Sequence, residues 1–299
     1  MDRLKHETQP DTAIGRATMG VPAASERFCV QGVDLAVSRE GSGVPVICLH
    51  AIAHGGADYD AFARAIGPGF EIIRVDWPGH GRSGSDSRAV TPARYAQLLG
   101  ELLPRLRVHE PVVIGNSIGG AAAILLAATH PVRALVLCDS GGLVRVSRLV
   151  RVFCRAFAAF FAAGARGAWW YRPLFALWYR RMVLLSPAAT AQRERVIDNA
   201  VAFAPVLKSA WLGFASAEAD LRATAIGLDV PIWIAWARSD RVVPLSLSMP
   251  CIRRMKRARV STFKGGHAPF LEQPAEFAEQ FAEFIHSLEE QSHVNAQSR

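Results

Sequence analysis

No stretch of 18 uninterrupted apolar residues occurs in this 299-residue sequence, although 51% of its residues are hydrophobic. The apolar stretch between Arg155 and Arg166, for example, is only ten residues long, whereas a membrane-spanning helix needs about 20. The first 22 residues are polar and charged and lack the apolar segment of a secretory signal. We therefore expect a globular protein that does not cross a membrane and is located in the cytoplasm.

Cysteine is scarce, and its pattern excludes several classes of site. The five cysteines are isolated, and Cys48 and Cys138 lie in apolar runs that resemble strands. Free, buried thiols are the expected state of such residues. No zinc-ligand spacing, helix-turn-helix or RNA-binding aromatic signature is present. The sequence thus predicts no metal, no other cofactor and no nucleic-acid partner.

Residues 140–193 contain no aspartate or glutamate. Their nine arginines give this segment a surplus of positive charge as large as the net charge of +8 on the whole chain. Four of them recur every three or four residues and are predicted to share one helix face: Arg145, Arg148, Arg151 and Arg155. Apolar residues are predicted on the opposite face: Leu149, Val150, Phe153 and Phe157. The plainest interpretation is a solvated arginine face over an aromatic core that includes Trp169, Trp170, Tyr171, Trp178 and Tyr179. Contact with an anionic membrane and reception of an acidic substrate are the alternatives.

Strand and helix patterns alternate along most of the chain. Short apolar runs predict strands at 28–30, 33–37, 44–49, 70–75, from 112, at 134–138, 230–236 and 260–263. This alternation is typical of an α/β fold with a mostly parallel, doubly wound sheet. Residues 143–226, rich in Ala, Leu, Arg and aromatics, interrupt it and predict a helical cap over the carboxyl edge of the sheet. The core is then 25–142 and 227–289, flanked by tails at 1–24 and 290–299.

The most informative motif is Gly115-Asn-Ser117-Ile-Gly119, between a buried strand and a small-residue helix. A Gly-x-Ser-x-Gly sequence in this context is typical of a nucleophile elbow. The turn from strand to helix strains the serine backbone and leaves room only for glycine at 115 and 119. Ser117 is therefore the predicted nucleophile, and the backbone N–H of Ile118 is a predicted oxyanion donor.

A serine nucleophile needs a base and an acid that orients the base. His267 lies in a loop between the last strand and the last helix, at the same sheet edge as Ser117, and is the predicted base. Asp240 follows the strand at 230–236, and the chain order Ser, Asp, His matches that of elbow hydrolases. Asp139 also ends a strand and is the rival acid. Asp240 is the favoured choice.

The loop after strand 44–49 should supply the second oxyanion donor, from the N–H of Ala51 or Ile52. His50 and His54 are four residues apart, a spacing that lets two histidines bind one metal on a helix. Here they are predicted in a loop, and no third ligand follows at a fixed spacing. His50 is expected to pack behind the oxyanion loop and to border the substrate pocket. Asn116, beside the nucleophile, is a second predicted pocket residue.

Together these motifs resemble the α/β-hydrolase fold serine hydrolases, over about residues 26–289. The matching sequences are Leu49-His50, Asp76-x-Pro-Gly-His-Gly-Arg-Ser-Gly84, Gly115-Asn-Ser-Ile-Gly-Gly120, Asp240 and Gly266-His-Ala-Pro-Phe-Leu-Glu-x-Pro274. The resemblance implies a Ser117, His267 and Asp240 triad without a cofactor. One departure is Ala51, where family members usually carry glycine after the histidine.

The resemblance leaves the substrate open. Asn116 is similar to the corresponding residue of carbon–carbon bond hydrolases of meta-cleavage pathways, but Ala53-His-Gly-Gly56 and Ala268 depart from their pattern. An apolar or amphipathic ester or thioester, cleaved through an acyl-enzyme on Ser117, is therefore the favoured small-molecule substrate. Carbon–carbon hydrolysis is one alternative. A non-catalytic hydrolase-fold binding module is another, although all three catalytic residue types occur in order.

Overall fold

The computed structural model describes residues 24–297, so the predicted tail at 1–24 lies outside the described residues except for Ala24, which begins the first strand. Eight strands are present: β1 Ala24–Val30, β2 Val33–Gly41, β3 Gly43–Leu49, β4 Gly69–Val75, β5 Val112–Asn116, β6 Ala134–Cys138, β7 Ile232–Ala237 and β8 Ala258–Phe263. The α-helices are α1 Asp60–Ala65, α2 Pro92–Leu106, α3 Ile118–Ala127, α4 Arg148–Ala165, α5 Tyr171–Met182, α6 Thr190–Asp198, α7 Ala200–Phe214, α8 Arg222–Gly227, α9 Leu245–Ile252, α10 Pro269–Glu272 and α11 Pro274–Gln297. Helix α11 thus continues into the predicted C-terminal tail.

The strands form one sheet in the order β1-β2-β4-β3-β5-β6-β7-β8. Strands β1 and β2 pair antiparallel, as does β2 with β4, and every pair from β4 to β8 is parallel. The predicted α/β fold with a mostly parallel, doubly wound sheet is confirmed. Because the strands from β3 to β8 run the same way, the loops that follow them meet at one edge.

Helices cover both faces of the sheet because its central strands are apolar on both sides. In β5, Val112 and Ile114 contact one core with α1 and α11, whereas Val113 contacts a second core with α2 and α3. All five cysteines are free, and Cys48 and Cys138 are buried in these strands as predicted. Among the described residues, no single helix has both the length and the apolar composition needed to cross a membrane.

A helical insertion, which we call the cap and define as α4–α7, interrupts the sheet between β6 and β7. The N–H of Leu221 donates to the carbonyl of Gly142 at 2.9 Å, which joins the two ends of the insertion. Helix α8 begins inside the predicted cap range of 143–226, but it packs against the sheet domain and buries Ala225 in the core that contains α2 and α3. Aromatic side chains fill the cap interior, including Phe157 and Trp211, whose rings stack at 4.5 Å.

The arginine helix differs from its prediction in three respects. Ser147 accepts the N–H of Val150 and caps α4, so Arg145 precedes the helix. Leu149, predicted on the inner face, is 79% exposed, and Trp169, predicted in the aromatic core, is 88% exposed. Helical periodicity shows which residues of α4 share a face, but it does not show which face packs against α7, and so the prediction for Leu149 was wrong.

The turn at Ser117 brings three backbone segments into contact. Ser117 has φ 54° and ψ −115°, in the left-handed half of conformational space, which costs energy for a residue with a side chain. A Cβ built on Gly115 would lie 2.5 Å from the carbonyl oxygen of Gly119, and one on Gly119 would overlap the carbonyl oxygen of Leu49. Only glycine therefore allows β3, β5 and α3 to meet here, as the motif predicted.

Two buried imidazoles hold the loop after β3. The backbone N–H of Trp77 donates to His50 Nε2 at 3.0 Å, and that of Ala53 donates to His80 Nε2 at 2.9 Å. Each ring therefore carries its proton on Nδ1, where it donates to a nearby carbonyl oxygen. Burial lowers the pKa of His50 well below its ordinary value and lowers that of His80 from 6.5 to about 4. Neutral imidazoles thus fix this loop.

The elbow contacts predict the effect of adding one methyl group. Gly115→Ala and Gly119→Ala should each lower the free energy of unfolding by about 1–3 kcal/mol or more, because the new Cβ meets backbone that cannot move aside. Thermal unfolding and soluble yield measure the effect. Gly227→Ala is the control, since nothing lies within 4 Å of a Cβ there. Equal melting temperatures for all three variants would contradict this account of the turn.

The lowered pKa of His80 predicts a loss of stability in acid. Between pH 6.5 and about 4 the unfolded chain binds a proton at His80 and the folded chain does not, so the folded state loses stability as the pH falls. The contribution of this one group reaches about 3 kcal/mol. Urea unfolding at about pH 7 and about pH 4.5 should show a smaller acid loss for His80→Gln, whose amide does not titrate. An identical loss in both proteins would disprove this linkage.

Candidate active site

A cavity lies between the carboxyl edge of the sheet and the cap. It encloses about 1180 Å³, part of it open to solvent, and most of its lining is apolar. Hydroxyl and imidazole groups reach it from four residues: His54, Ser117, Tyr179 and His267. This space suits an acyl compound larger than acetate, with few polar groups to fix its orientation.

His267 and Asp240 meet in loops that follow neighbouring strands, β8 and β7. The Nδ1 of His267 donates to Asp240 Oδ2 at 3.0 Å, and both side chains are buried. Asp240 Oδ1 accepts the N–H groups of Val242 and Val243 at 2.8 and 3.1 Å. These bonds hold the carboxylate in one orientation, and the carboxylate in turn leaves His267 Nε2 free to accept a proton.

The rival acid, Asp139, lies within the same cluster but in a different electrostatic state. Ligand atoms of Asp139, Asp240 and His267 all lie within 4.8 Å of one another. Asp139 Oδ1 accepts the N–H of Ala237 at 2.9 Å. Burial, together with the nearby Asp240, raises the pKa of Asp139 well above its ordinary value, because two charges so close in a dry site repel. The structure therefore pairs His267 with Asp240, and the raised pKa of Asp139 favours its protonated form.

These three side chains are also the one set of His, Cys or acidic groups, within the described residues, that is clustered tightly enough to hold a metal ion. Each side chain of the cluster already has a hydrogen-bond partner within the protein, since the Nδ1 of His267 donates to Asp240 and Asp139 Oδ1 accepts the N–H of Ala237.

Ser117 lines the same cavity as His267 and is 8% exposed. No hydrogen bond joins its hydroxyl to His267 within the described part of the chain. Ile118 is the first residue of α3, so its N–H has no helical carbonyl partner. Ala51 and Ile52 line the cavity beside Ser117. The predicted nucleophile, the predicted base and the two candidate donors of the loop after β3 thus border one space, whereas Ile118 is fully buried next to Ser117.

The two predicted pocket residues lie elsewhere. Asn116 is fully buried, and its Nδ2 donates to the carbonyls of Cys138 and His267 at 3.0 and 2.8 Å. It therefore joins β5 to the loop of the predicted base and does not line the cavity. His50 is also fully buried and braces the loop behind Ala51. Both predictions were wrong for the same reason: a residue next to a cavity-lining residue in the sequence can direct its own side chain into the protein interior.

A series of hydrogen bonds that links the core to the cap was not predicted from the sequence. Tyr179 of α5 bonds to His54 Nε2 at 2.6 Å, and His54 Nδ1 bonds to the buried carboxylate of Asp58. Tyr179 and His54 both line the cavity. The spacing of His54 and Asp58 was the available signal, but Tyr179 lies 125 residues away in the chain.

Glu272 forms a second link between the predicted base and the cap. Its Oε2 accepts the N–H groups of Gly266 and His267 at 2.6 and 3.1 Å. Its Oε1 accepts those of Leu185 and Ser186, both at 2.7 Å. One buried carboxylate therefore fixes the backbone of the His267 loop relative to the segment after α5.

Comparisons with known proteins agree with this architecture. A 2-hydroxymuconate semialdehyde hydrolase from Pseudomonas sp. (strain CF600) is 25% identical over 291 residues, covering 90% of this chain and 96% of the relative. A pimeloyl-[acyl-carrier protein] methyl ester esterase from Aromatoleum aromaticum is 28% identical over 244 residues, covering 78% of this chain and 94% of the relative. A thermophilic esterase from Thermogutta terrifontis shares the fold with a TM-score of 0.74 and 20% identity, over 89% of this chain and 99% of the esterase.

The family profile that matches is described as Alpha/beta hydrolase family and spans residues 46–280, which include Ser117, Asp240 and His267. This match covers most of the chain and confirms the resemblance inferred from the motifs. The chain belongs to the alpha/beta hydrolase family.

Proposed function

We propose that this hydrolase cleaves apolar or amphipathic carboxylic esters or thioesters through an acyl-enzyme on Ser117. The observation that carries the proposal is the position of Ser117, which opens from a strained elbow onto an apolar cavity also lined by His267. His267 is in turn hydrogen-bonded to a fixed carboxylate. A nucleophile and a base thus border one space, and the orienting acid lies behind the base, as acyl transfer requires.

In the proposed reaction, Ser117 Oγ attacks the substrate carbonyl carbon while His267 Nε2 takes the hydroxyl proton. The oxygen anion of the tetrahedral intermediate accepts N–H groups of Ile118 and of Ala51 or Ile52. His267 then returns the proton to the departing alcohol or thiol. A water molecule then gives a proton to His267 and bonds through its oxygen to the acyl carbon. As the bond from the acyl carbon to Ser117 Oγ breaks, His267 returns the proton to Oγ, the acid leaves and Ser117 is restored.

The lining of the cavity supports an acyl substrate with an extended apolar part. Aromatic and aliphatic residues of the cap and core surround the space above Ser117, including Phe175, Trp178, Leu207 and Trp211. A relative named as a methyl ester esterase supports the same class of bond. Tyr179 and His54 supply the polar contacts away from the triad.

Hydrolysis of a carbon–carbon bond in a vinylogous diketone is a second candidate. Asn116 precedes the nucleophile as in meta-cleavage hydrolases, and a relative of that type aligns with 90% of this chain. Two substrate sets separate the candidates. Turnover of p-nitrophenyl esters of increasing chain length without consumption of a ring-fission product supports the ester proposal. The reverse result replaces it with the alternative.

Removal of the nucleophile tests the proposal. Ser117→Ala should lower kcat by about six orders of magnitude, because the three triad members act as a unit. A fluorophosphonate probe should label the wild-type chain at Ser117 and leave the variant unlabelled. Ser140→Ala is the control, since this buried serine donates only to the neighbouring Gly141 carbonyl. Hydrolysis by folded Ser117→Ala at the wild-type rate would refute serine catalysis, and an unlabelled, inactive wild type would favour a binding module.

The two buried aspartates should respond differently to an amide. Asp240→Asn should lower kcat/KM by about 10⁴-fold, because an amide does not stabilise the imidazolium of His267. Asp139→Asn should lower kcat/KM less than about tenfold, since the raised pKa of Asp139 favours its neutral form and an amide oxygen can still accept the N–H of Ala237. Melting temperatures show that both variants fold. The opposite ranking of the two losses would assign the acid to Asp139.

A further inference from the structure

The first turns of α4 expose several apolar side chains to solvent. Leu149 is 79% exposed, Val152 65% and Phe153 47%, and all three lie within the first six residues of the helix. Exposed apolar residues are normal when scattered. Here they are adjacent, and Ala156, one turn further, is also exposed. Their concentration on one helix end indicates a surface that meets an apolar environment.

Arginines border this apolar strip. With about 100° of rotation per residue, Arg148, Arg151 and Arg155 share an arc of about 60°, and Val152, Ala156 and Leu149 occupy the arc beside it. All three arginines are exposed, and none forms an ion pair within residues 24–297. By contrast, Arg172 and Arg180 elsewhere in the cap pair with Asp198 and Glu194.

The same helix end borders the entrance to the cavity. Phe153 lines the cavity and is 47% exposed, and Leu247 of α9 lines it and is 55% exposed. A residue that both lines a cavity and contacts solvent marks the place where that cavity opens. Val150 and Cys154 continue inward from Phe153. The arginines and the apolar strip therefore lie at the rim of the opening.

We propose that this rim, defined as residues 148–156 of α4 together with Leu247, docks on a membrane surface that carries acidic lipid headgroups. The apolar strip would enter the boundary of the acyl chains, and the arginines would bind phosphate groups, as in interfacial amphipathic helices. Because the cavity opens at the rim, an apolar substrate would pass from the lipid toward Ser117 without crossing water. Residues 140–193 contain no acidic residue, so the segment that carries the rim adds no charge that would repel such a surface. Asp220, which accepts the N–H of Val146 just before α4, is paired with Arg222.

Vesicle sedimentation tests the docking independently of catalysis. Wild-type protein should bind vesicles of phosphatidylcholine with phosphatidylglycerol and not those of phosphatidylcholine alone, and added salt should weaken the binding. Arg148→Glu/Arg151→Glu should reduce the bound fraction at least about tenfold. Leu149→Ser/Val152→Ser should also reduce it while the salt dependence remains. None of these four residues lines the cavity.

The matched control is Arg253→Glu/Arg254→Glu, the same change of charge at two exposed residues that precede β8, at the opposite edge of the sheet. This variant should keep most of the vesicle binding. Equal losses of vesicle binding in the two charge-reversal variants would show that only net charge matters and would overturn the proposal. Failure of the wild-type protein to bind acidic vesicles would also overturn it. Melting temperatures verify folding. Since binding is read without turnover, an absent esterase activity would refute the proposed function and leave this result standing.

Discussion

Direct contact between backbone segments at the elbow is the constraint on which the rest of the site depends. Gly115, Gly119 and the carbonyl of Leu49 meet with no room for a side chain. This contact fixes the N-terminus of α3 against the end of β3, so that Ser117 and the loop at Ala51 border the same cavity. A strained serine is stable here because the surrounding sheet and helix determine its conformation.

Buried polar groups then set the protonation states around this elbow. His50 and His80 are held neutral by burial and accept backbone N–H groups, so they position the loop without adding charge to it. Burial and the nearby Asp240 raise the pKa of Asp139 and so favour its neutral form, while the fixed carboxylate of Asp240 bonds to His267. Glu272 joins the His267 loop to the cap. The cap is thereby tied to the proposed base through hydrogen bonds as well as through apolar packing.

Much of this arrangement could be predicted from the sequence because its signals are local. Glycines at fixed spacing and strand periodicity each reflect constraints within a few residues. Ser117, Asp240 and His267 each follow a parallel strand, so their positions relative to the strands place all three at one edge of the sheet. The parts that escaped prediction depend on distant packing. Tyr179 meets His54 across 125 residues, and the inward direction of Asn116 follows from β6 and the His267 loop. The exposure of Leu149 depends on how α4 seats against α7, which helical periodicity alone does not specify.

The central claim is that acyl transfer occurs on Ser117 in the cavity beneath the cap. Rapid-quench mixing of the enzyme with a p-nitrophenyl ester, followed by intact-protein and peptide mass spectrometry, tests it most directly. The account predicts a burst of one p-nitrophenol per active site and a transient mass increase equal to the acyl group, located on the peptide that contains Ser117. Steady hydrolysis with neither a burst nor an adduct, or an adduct on another residue, would contradict it.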